Sequence, residues 1–356
     1  MVTEAQRKVA WLLRRHAEFC RRTSSLYGAL LREAADDVQS GGPSWAVLRG
    51  REGDPEETAL ALRFMAAVHL LVLDGKAPDL AARYPTAGGG GPPEEAWPAF
   101  RSTLERHGEI LRELVARTCQ TNEVGRSAAL LPGFLLIART TGLPLRLLEI
   151  GASAGLNLRW DRYRYEGAGV AWGDRSSSVR LTGAFAEPAP PLEGAVEVVE
   201  RRGCDPNPLD PSSPEDRLTL MASIWADHLD RFRLLEAALE LAPSVRASVD
   251  RSSAEAWLPS TLGPPADRMA TVVFHSVVMQ YLDPAEREAV RLLLGEAGAR
   301  ATAANPMAWL RLEPEGEWRR ERPHAVRLTM WPRGNEEKLA ECHPHGRPVH
   351  WLGDRA

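Results

Sequence analysis

Cysteine is scarce in this 356-residue chain. Cys20, Cys119, Cys204 and Cys342 stand far apart with no CxxC pair, so neither a disulfide frame nor a zinc knuckle is expected, and a reducing compartment fits. Lysine is scarcer: Lys8, Lys76 and Lys338 are the only three among 44 basic residues, a bias toward arginine that reads as a coding preference. Neither charge sign is in excess. A formal net charge of -4 gives no broad basic field for nonspecific binding of nucleic acid or an anionic membrane. Long apolar runs are missing too, since the best of them, Phe64 to Leu73, is interrupted by His69 and falls short of the ~20 residues that span a bilayer. Met1 to Ala10 is polar and charged where a secretory leader needs an apolar stretch. The expectation is a cytoplasmic protein, without membrane or nucleic-acid partners, acting on a small molecule.

What the chain does contain is ordinary globular material, 44% hydrophobic and 26% charged. At about 150 residues per domain its length suggests two domains. Residues 1–120 read as an all-α domain. Val9, Leu12, Leu13, His16 and Phe19 or Cys20 recur at helical spacing, Leu60 to Leu73 is apolar nearly all round, and Trp97 to Thr118 continues the pattern. His69 inside the second segment is expected to be a satisfied core histidine. Between these helices "YPTAGGGGPPEEAWPAF" permits neither helix nor strand and is expected to form a mobile surface loop.

Residues 121–356 read differently. Short apolar runs at Leu145 to Ile150, Val196 to Cys204, Val245 to Val249, Ala270 to His275 and Ala308 to Leu312 alternate with helical stretches near Ser127 to Thr140, Glu215 to Leu241 and Pro284 to Ala299. That alternation predicts an α/β fold with a mainly parallel sheet and crossover helices. The runs Val326 to Trp331, Lys338 to Cys342 and Pro348 to Leu352 predict an antiparallel edge at the C-terminus. Asp283, Pro284 and Glu286 make a capping box, and Ser252 with Glu255 offers a second. A segment at about 160–185, rich in tyrosine, tryptophan and arginine, reads as a hairpin insert, either a flap over a ligand or a packing element.

The first strand runs into "LRLLEIGASAGLNLRW", where Glu149 is followed by Gly151 and Gly155. Glycines at that corner of a parallel sheet let the backbone approach a ligand, and the end of the first strand lies beside the point where strand order reverses. A carboxylate there repels a pyrophosphate and favours a cationic amine. "LLEIGASAGLNL" resembles the first motif of class I S-adenosylmethionine-dependent methyltransferases, with Ser153 where that motif commonly has its middle glycine. The resemblance implies a Rossmann-type fold and S-adenosylmethionine as cofactor, with Glu149 near the methionine portion and Gly151, Ala152, Ser153 and Gly155 forming the loop around it. It also implies an acid for the ribose at the end of the second strand, matched by Asp205 in "GCDPNPLD", and one for the adenine at Asp250. The rival for the ribose is Asp174, 19 residues past Gly155, which suits a dinucleotide fold. Asp205 also reads as a plain Asp-Pro turn residue, and Asp250 as part of a helix start. In the fourth strand His275 is the candidate general base and Ser276 a candidate substrate contact.

Over most of its length the chain resembles a bacterial family called domain of unknown function 2332, through "QTNEVGRSAALLPGF", "LLEIGASAGLNLRWDRYRY", "GCDPNPLD" and "HPHG". The first stretch supplies Asn122, Glu123 and Arg126, of which Glu123 and Arg126 are candidate substrate contacts, or else the solvated face of a capped helix. "CHPHG" places Cys342, His343 and His345 too close around Pro344 for a standard metal site, and no metal is expected; the turn is expected to return to the ligand end of the sheet. The leading functional expectation is a methyltransferase acting on a small molecule. A non-catalytic module of the same fold, or a nicotinamide-dependent oxidoreductase, are the alternatives.

Overall fold

The computed structural model describes residues 1–20, 23–55, 58–118, 120–263, 268–316 and 323–353, so Cys119 falls outside the described residues. These residues divide into two compact units, Met1–Thr121 with Ser213–Arg233, and Asn122–Ser212 with Leu234–Ala356.

The first unit holds α1 (Glu4–Cys20), α2 (Ser25–Ser40), α3 (Pro43–Leu48), α4 (Leu60–Leu73), α5 (Pro78–Ala81) and α6 (Trp97–Ala116). Along α1 the apolar stripe turns Val9, Leu13 and Cys20 inward and leaves Phe19 exposed. His69 on α4 is buried, with Nδ1 3.1 Å from the Ala222 carbonyl and Nε2 2.8 Å from Thr86 Oγ1. Burial lowers its pKa to about 4, so the ring is neutral. The glycine-rich stretch after Tyr84 differs from expectation. It carries 3-10 turns at Pro85–Ala87 and Pro93–Ala96, each with proline in its first turn, and Tyr84 ahead of them is fully buried.

The helix expected over Glu215 to Leu241 is broken. It forms as Pro214–Ala222 and Leu229–Leu241, because the residues between are drawn into the helical core. Trp225 stacks on Tyr27 with centroids 5.7 Å apart, and Asp227 accepts a 2.7 Å hydrogen bond from Ser24 Oγ.

The second unit is mixed α/β and Rossmann-like. Helix α7 (Arg126–Thr141) leads into β1 (Leu145–Ile150). A three-stranded insert follows, β2 (Arg164–Gly167), β3 (Val170–Trp172) and β4 (Arg180–Thr182), and then β5 (Val198–Asp205). In chain order after β5 come the two helices already placed, α8 (Pro214–Ala222) and α9 (Leu229–Leu241), then β6 (Ser248–Arg251), α10 (Ala254–Thr261), β7 (Ala270–Ser276) and α11 (Pro284–Ala299). The chain closes with β8 (Met307–Pro314), β9 (His324–Trp331), β10 (Asn335–Cys342) and β11 (Val349–Trp351).

Eight strands make one sheet in the order β6-β5-β1-β7-β8-β9-β10-β11. The first five are parallel and the last three continue as an antiparallel meander. Order reverses between β1 and β7, which makes the carboxyl ends of those two strands the switch point.

The strand expected at Val245 to Val249 begins later, at Ser248. Val245 is instead held by a 3-10 turn over Ala242–Ser244, and its carbonyl accepts from Arg159 Nε at 2.9 Å. At α11 the expected capping box forms, with Glu286 N–H donating to Asp283 Oδ1 at 2.8 Å and Asp283 N–H to Glu286 Oε2 at 2.9 Å. The box expected at α10 does not. Ser253 is the N-cap there without a side-chain bond, and Ser252 Oγ donates to the Ser253 carbonyl.

Leu148, Ile150, Cys204 and Val273 join a core with Trp257 and Leu258 of α10 and Val290 and Leu294 of α11. Alternation along the strands therefore turns Glu149, Asp205 and Phe274 to the opposite face. That face carries α7, whose Phe134 meets Phe274 edge-on at 5.1 Å. The aromatic insert packs on it as well: Trp160 lies flat on Phe134, centroids 4.4 Å apart and planes 3° from parallel. Tyr163 and Tyr165 are fully buried and donate to the carbonyls of Leu156 and Trp160. The insert is thus a packed element with its rings turned inward.

Candidate functional site

At the carboxyl end of β1 the chain makes a tight loop with left-handed backbone at Gly151 (φ +67°), Ser153 (φ +52°) and Gly155 (φ +67°). Gly151 and Ala152 donate their N–H groups to the Cys204 carbonyl, which binds the loop to β5. Close packing demands glycine at 151 in addition to its backbone angle. A Cβ there would stand 2.6 Å from Val278 Cγ2, the side chain that follows β7.

Asp205, at the end of β5 and 6% exposed, accepts from Ser153 N–H at 3.0 Å through one oxygen and from Asn207 N–H at 2.8 Å through the other. It is an Asp-Pro turn residue and a loop anchor at once. Glu149 sits one pleat back on the same face, its Cα paired with Gly203. Its side chain is 2% exposed, and Oε2 is buried without a hydrogen-bond partner among the described residues. Burial above all, and then the charge of Asp205, raises its pKa well above the ordinary carboxylate range, while Arg159 and Arg126 oppose the shift.

The raised value has a measurable consequence. A carboxyl group whose folded pKa exceeds its unfolded value favours the fold in its protonated form. That contribution is complete below the unfolded value of about 4.5 and is lost as pH climbs through the raised folded value. Glu149→Gln, which keeps the shape and removes the ionisation, is therefore expected to gain stability relative to wild type as pH rises. Urea-unfolding midpoints for both proteins across a pH series test this, and a difference that stays flat with pH contradicts it.

The segment before α7 lies at the same end of the sheet. Asn122 Oδ1 accepts from Leu156 N–H at 3.0 Å, and Asn157 Nδ2 donates to the Glu123 carbonyl at 3.4 Å. Arg126 donates from Nη1 to the Ser276 carbonyl and from Nε to the Pro344 carbonyl, both at 3.1 Å, tying together the end of β7 and the turn between β10 and β11. That turn fits tightly against the same segment. A Cβ on Gly125 would lie 2.4 Å from the His345 carbonyl, and one on Gly346 would lie 2.4 Å from Gly125 O and Arg126 Cα. Glu123 is buried, and its Oε2 lies 3.2 Å from His345 Nδ1. Among the described residues no three metal-ligating side chains gather.

The structure thus brings Glu149, Gly151, Ala152, Ser153, Gly155, Asp205, Glu123, Arg126 and Ser276 to one end and one face of the sheet. It does not bring Asp250 or His275 there. Asp250 pairs in register with Cys204, so its side chain turns to the α10 face, where it accepts 2.7 Å bonds from Trp257 Nε1 and Arg202 Nη2. His275 neighbours Phe274 and also faces away. It is fully buried, with Nδ1 2.7 Å from Glu313 Oε1, and Nε2 accepts from Trp309 Nε1 at 3.1 Å. Both ring nitrogens are thus engaged in linking β7 to β8. Asp174, the rival acid, is exposed in the turn before β4, where it accepts from Ser176 N–H and Oγ.

Two bracing residues, one at the loop and one behind the end of β7, escaped the sequence reading. Arg159 is 5% exposed, donates to Gly155 O at 2.7 Å and reaches the Ala242 and Val245 carbonyls, so one guanidinium braces the glycine loop against the chain before β6. Glu313 collects His275 Nδ1 and the Val278 and Met279 N–H groups on one oxygen. Both look like surface residues in sequence, where buried arginine and glutamate are rare. The only signal for Arg159 is its place four residues after Gly155.

No curated protein shows a match to the chain. The family described as an uncharacterized protein conserved in bacteria (DUF2332) matches residues 10–351, and the chain belongs to that family.

Proposed function

We propose that this protein binds S-adenosylmethionine at the switch point between β1 and β7 and transfers its methyl group to a small molecule. One observation carries the reading: Glu149, a buried carboxylate whose Oε2 has no hydrogen-bond partner among the described residues, stands directly behind a loop of three left-handed residues. Burial favours the neutral acid in the protein alone, and a cationic amino group beside Oε2 is the complement that lets Glu149 carry its charge and satisfies the buried oxygen. A pyrophosphate is not.

The rest of the site suits the same ligand. Gly151, Ala152, Ser153 and Gly155 form the loop for its amino-acid portion. Asp205 accepts from the Ser153 and Asn207 N–H groups at the end of β5, beside the same loop, and is the acid assigned to the ribose hydroxyls. The bound cofactor would supply an electrophilic methyl group. Glu149 orients its amine, Asp205 and the loop fix its position, and Arg126 holds the end of β7 against the turn that borders the substrate side.

The non-catalytic alternative draws support from His275, whose ring is fully occupied within the core. The oxidoreductase reading loses Asp174 to the exposed turn of the insert. Isothermal titration of the full chain with S-adenosylhomocysteine is expected to show saturable binding that Glu149→Ala abolishes, with no heat from nicotinamide dinucleotides. Absence of binding to the wild-type protein overturns the proposal.

A further inference from the structure

We infer that Asn157 is a ligand-contacting residue, and that its Oδ1 and Glu149 Oε2 together make a two-oxygen receptor for a primary ammonium group. The inference rests on the cofactor reading above and narrows it to the amine of the amino-acid portion.

The two residues flank one loop. Glu149 stands two positions before Gly151, and Asn157 two positions after Gly155. Each is 2% exposed, and each carries one buried oxygen, Glu149 Oε2 and Asn157 Oδ1, with no hydrogen-bond partner among the described residues. Buried polar atoms are nearly always paired, so two orphan oxygens on either side of the same loop call for a ligand that brings donors.

The surroundings decide which atom of the Asn157 amide is the orphan. Nδ2 donates to the Glu123 carbonyl at 3.4 Å, and turning the amide over would set oxygen against oxygen. The backbone on both sides is fixed. Leu156 N–H donates to Asn122 Oδ1 at 3.0 Å, Tyr163 Oη donates to the Leu156 carbonyl at 2.6 Å, and Arg159 Nη1 donates to the Gly155 carbonyl at 2.7 Å.

Neighbouring residues tie the two oxygens to one region. The Glu123 carbonyl that Asn157 meets belongs to the segment entering α7, and the charge of Arg126, the first residue of that helix, acts on Glu149. The charge of Arg159, two residues past Asn157, acts on it as well. Both guanidinium groups donate to main-chain carbonyls, Arg126 to Ser276 and Pro344 and Arg159 to Gly155, Ala242 and Val245, and no hydrogen bond joins either to Glu149 Oε2.

The chemistry that fits is narrow. Glu149 supplies the counter-charge once an ammonium is beside it, Asn157 supplies a neutral second acceptor, and a primary ammonium brings three N–H donors. An N,N-dimethylated amine keeps the charge and one N–H, enough for one oxygen only. A phosphate or a carboxylate offers neither the charge nor the donors. Glu149 thus selects for the charge, and Asn157 for the unsubstituted amine.

Calorimetric titration of the full chain with S-adenosylhomocysteine and with its deaminated analogue tests this on wild type and Asn157→Ala, with circular dichroism checking the fold. Wild type is expected to bind the deaminated analogue about tenfold or more weakly. Asn157→Ala should weaken S-adenosylhomocysteine by about tenfold or more, the loss of one hydrogen bond to a charged group, and leave the deaminated analogue unchanged. An equal loss for both ligands means that Asn157 serves the loop and not the amine, and overturns the inference, as does undiminished binding of S-adenosylhomocysteine. Should Asn157→Ala not fold, N,N-dimethylated S-adenosylhomocysteine decides on wild type: binding equal to that of the primary amine overturns the two-oxygen receptor. If wild type binds neither adenosyl ligand, the cofactor reading falls and L-methionine against its deaminated analogue judges the receptor alone. Heat from methionine only, lost in Asn157→Ala, upholds it, and no heat from methionine overturns it.

Discussion

Trp160→Ala should destabilise the protein by about 3–5 kcal/mol, the range for removing a fully buried large aromatic side chain. Trp160 is 0% exposed and joins three elements. It lies flat on Phe134 of α7 at 4.4 Å, stacks on Trp172 of the insert at 5.5 Å, and its carbonyl accepts from Tyr165 Oη at 2.8 Å. Truncation leaves a cavity between the insert and the helix that backs the sheet. The measurement is the urea midpoint at constant denaturant slope, with Trp172→Ala as the comparison. Trp172 is only partly buried, so its loss should cost clearly less. Equal and small effects in both would mean that the insert is not part of the core.

The second large effect belongs to Asp205. Asp205→Ala strips the acceptor from Ser153 N–H and Asn207 N–H, and hydrogen bonds to charged groups contribute about 1.5–3 kcal/mol each. A loss of roughly 3 kcal/mol in stability is expected, together with loss of S-adenosylhomocysteine binding, since Ser153 at φ +52° depends on this tether. Asp205→Asn keeps one acceptor oxygen and separates the two roles. It should recover much of the stability while binding stays weak. If Asp205→Ala binds as well as wild type, the carboxylate anchors the turn and does nothing for a ligand.

Much of the sheet was readable because period and punctuation are local. β1 occupies the run Leu145 to Ile150, and α11 starts at Pro284 behind the Asp283–Glu286 box, both where the residues alone placed them. The glycine loop and the meander after β8 were equally legible. Misreadings came where a distant contact decides. Trp225 reads as a continuation of a helix until the core that claims it is known, and the strand at Ser248 starts late because a buried arginine 86 residues away holds Val245 in a turn. The site shows the same division. Glu149 and Asp205 stand at the strand ends where the sequence placed them, on one face. Which face a side chain takes depends on register, and one residue of register separates Asp250 from Asp205, and His275 from Ser276. Burial is the other hidden variable. Nothing in "LNLRW" says that its arginine is interior, nor does "LEPEG" say that its first glutamate holds a histidine.

One further consequence lies in the last strand. β11 is paired with β10 on one side, and on the other Val349 donates to the Ala184 carbonyl and accepts from Ala186 N–H, bridging in parallel to Phe185. The insert thereby caps the terminal strand of the meander. At the far margin β6 is only four residues long and ends in Asp250 and Arg251. Among the described residues neither border presents a long bare ladder of amides to a second chain, so edge-to-edge pairing with another copy, the first step toward fibrils, is hindered at one border by the protein's own backbone and discouraged at the other by brevity and charge.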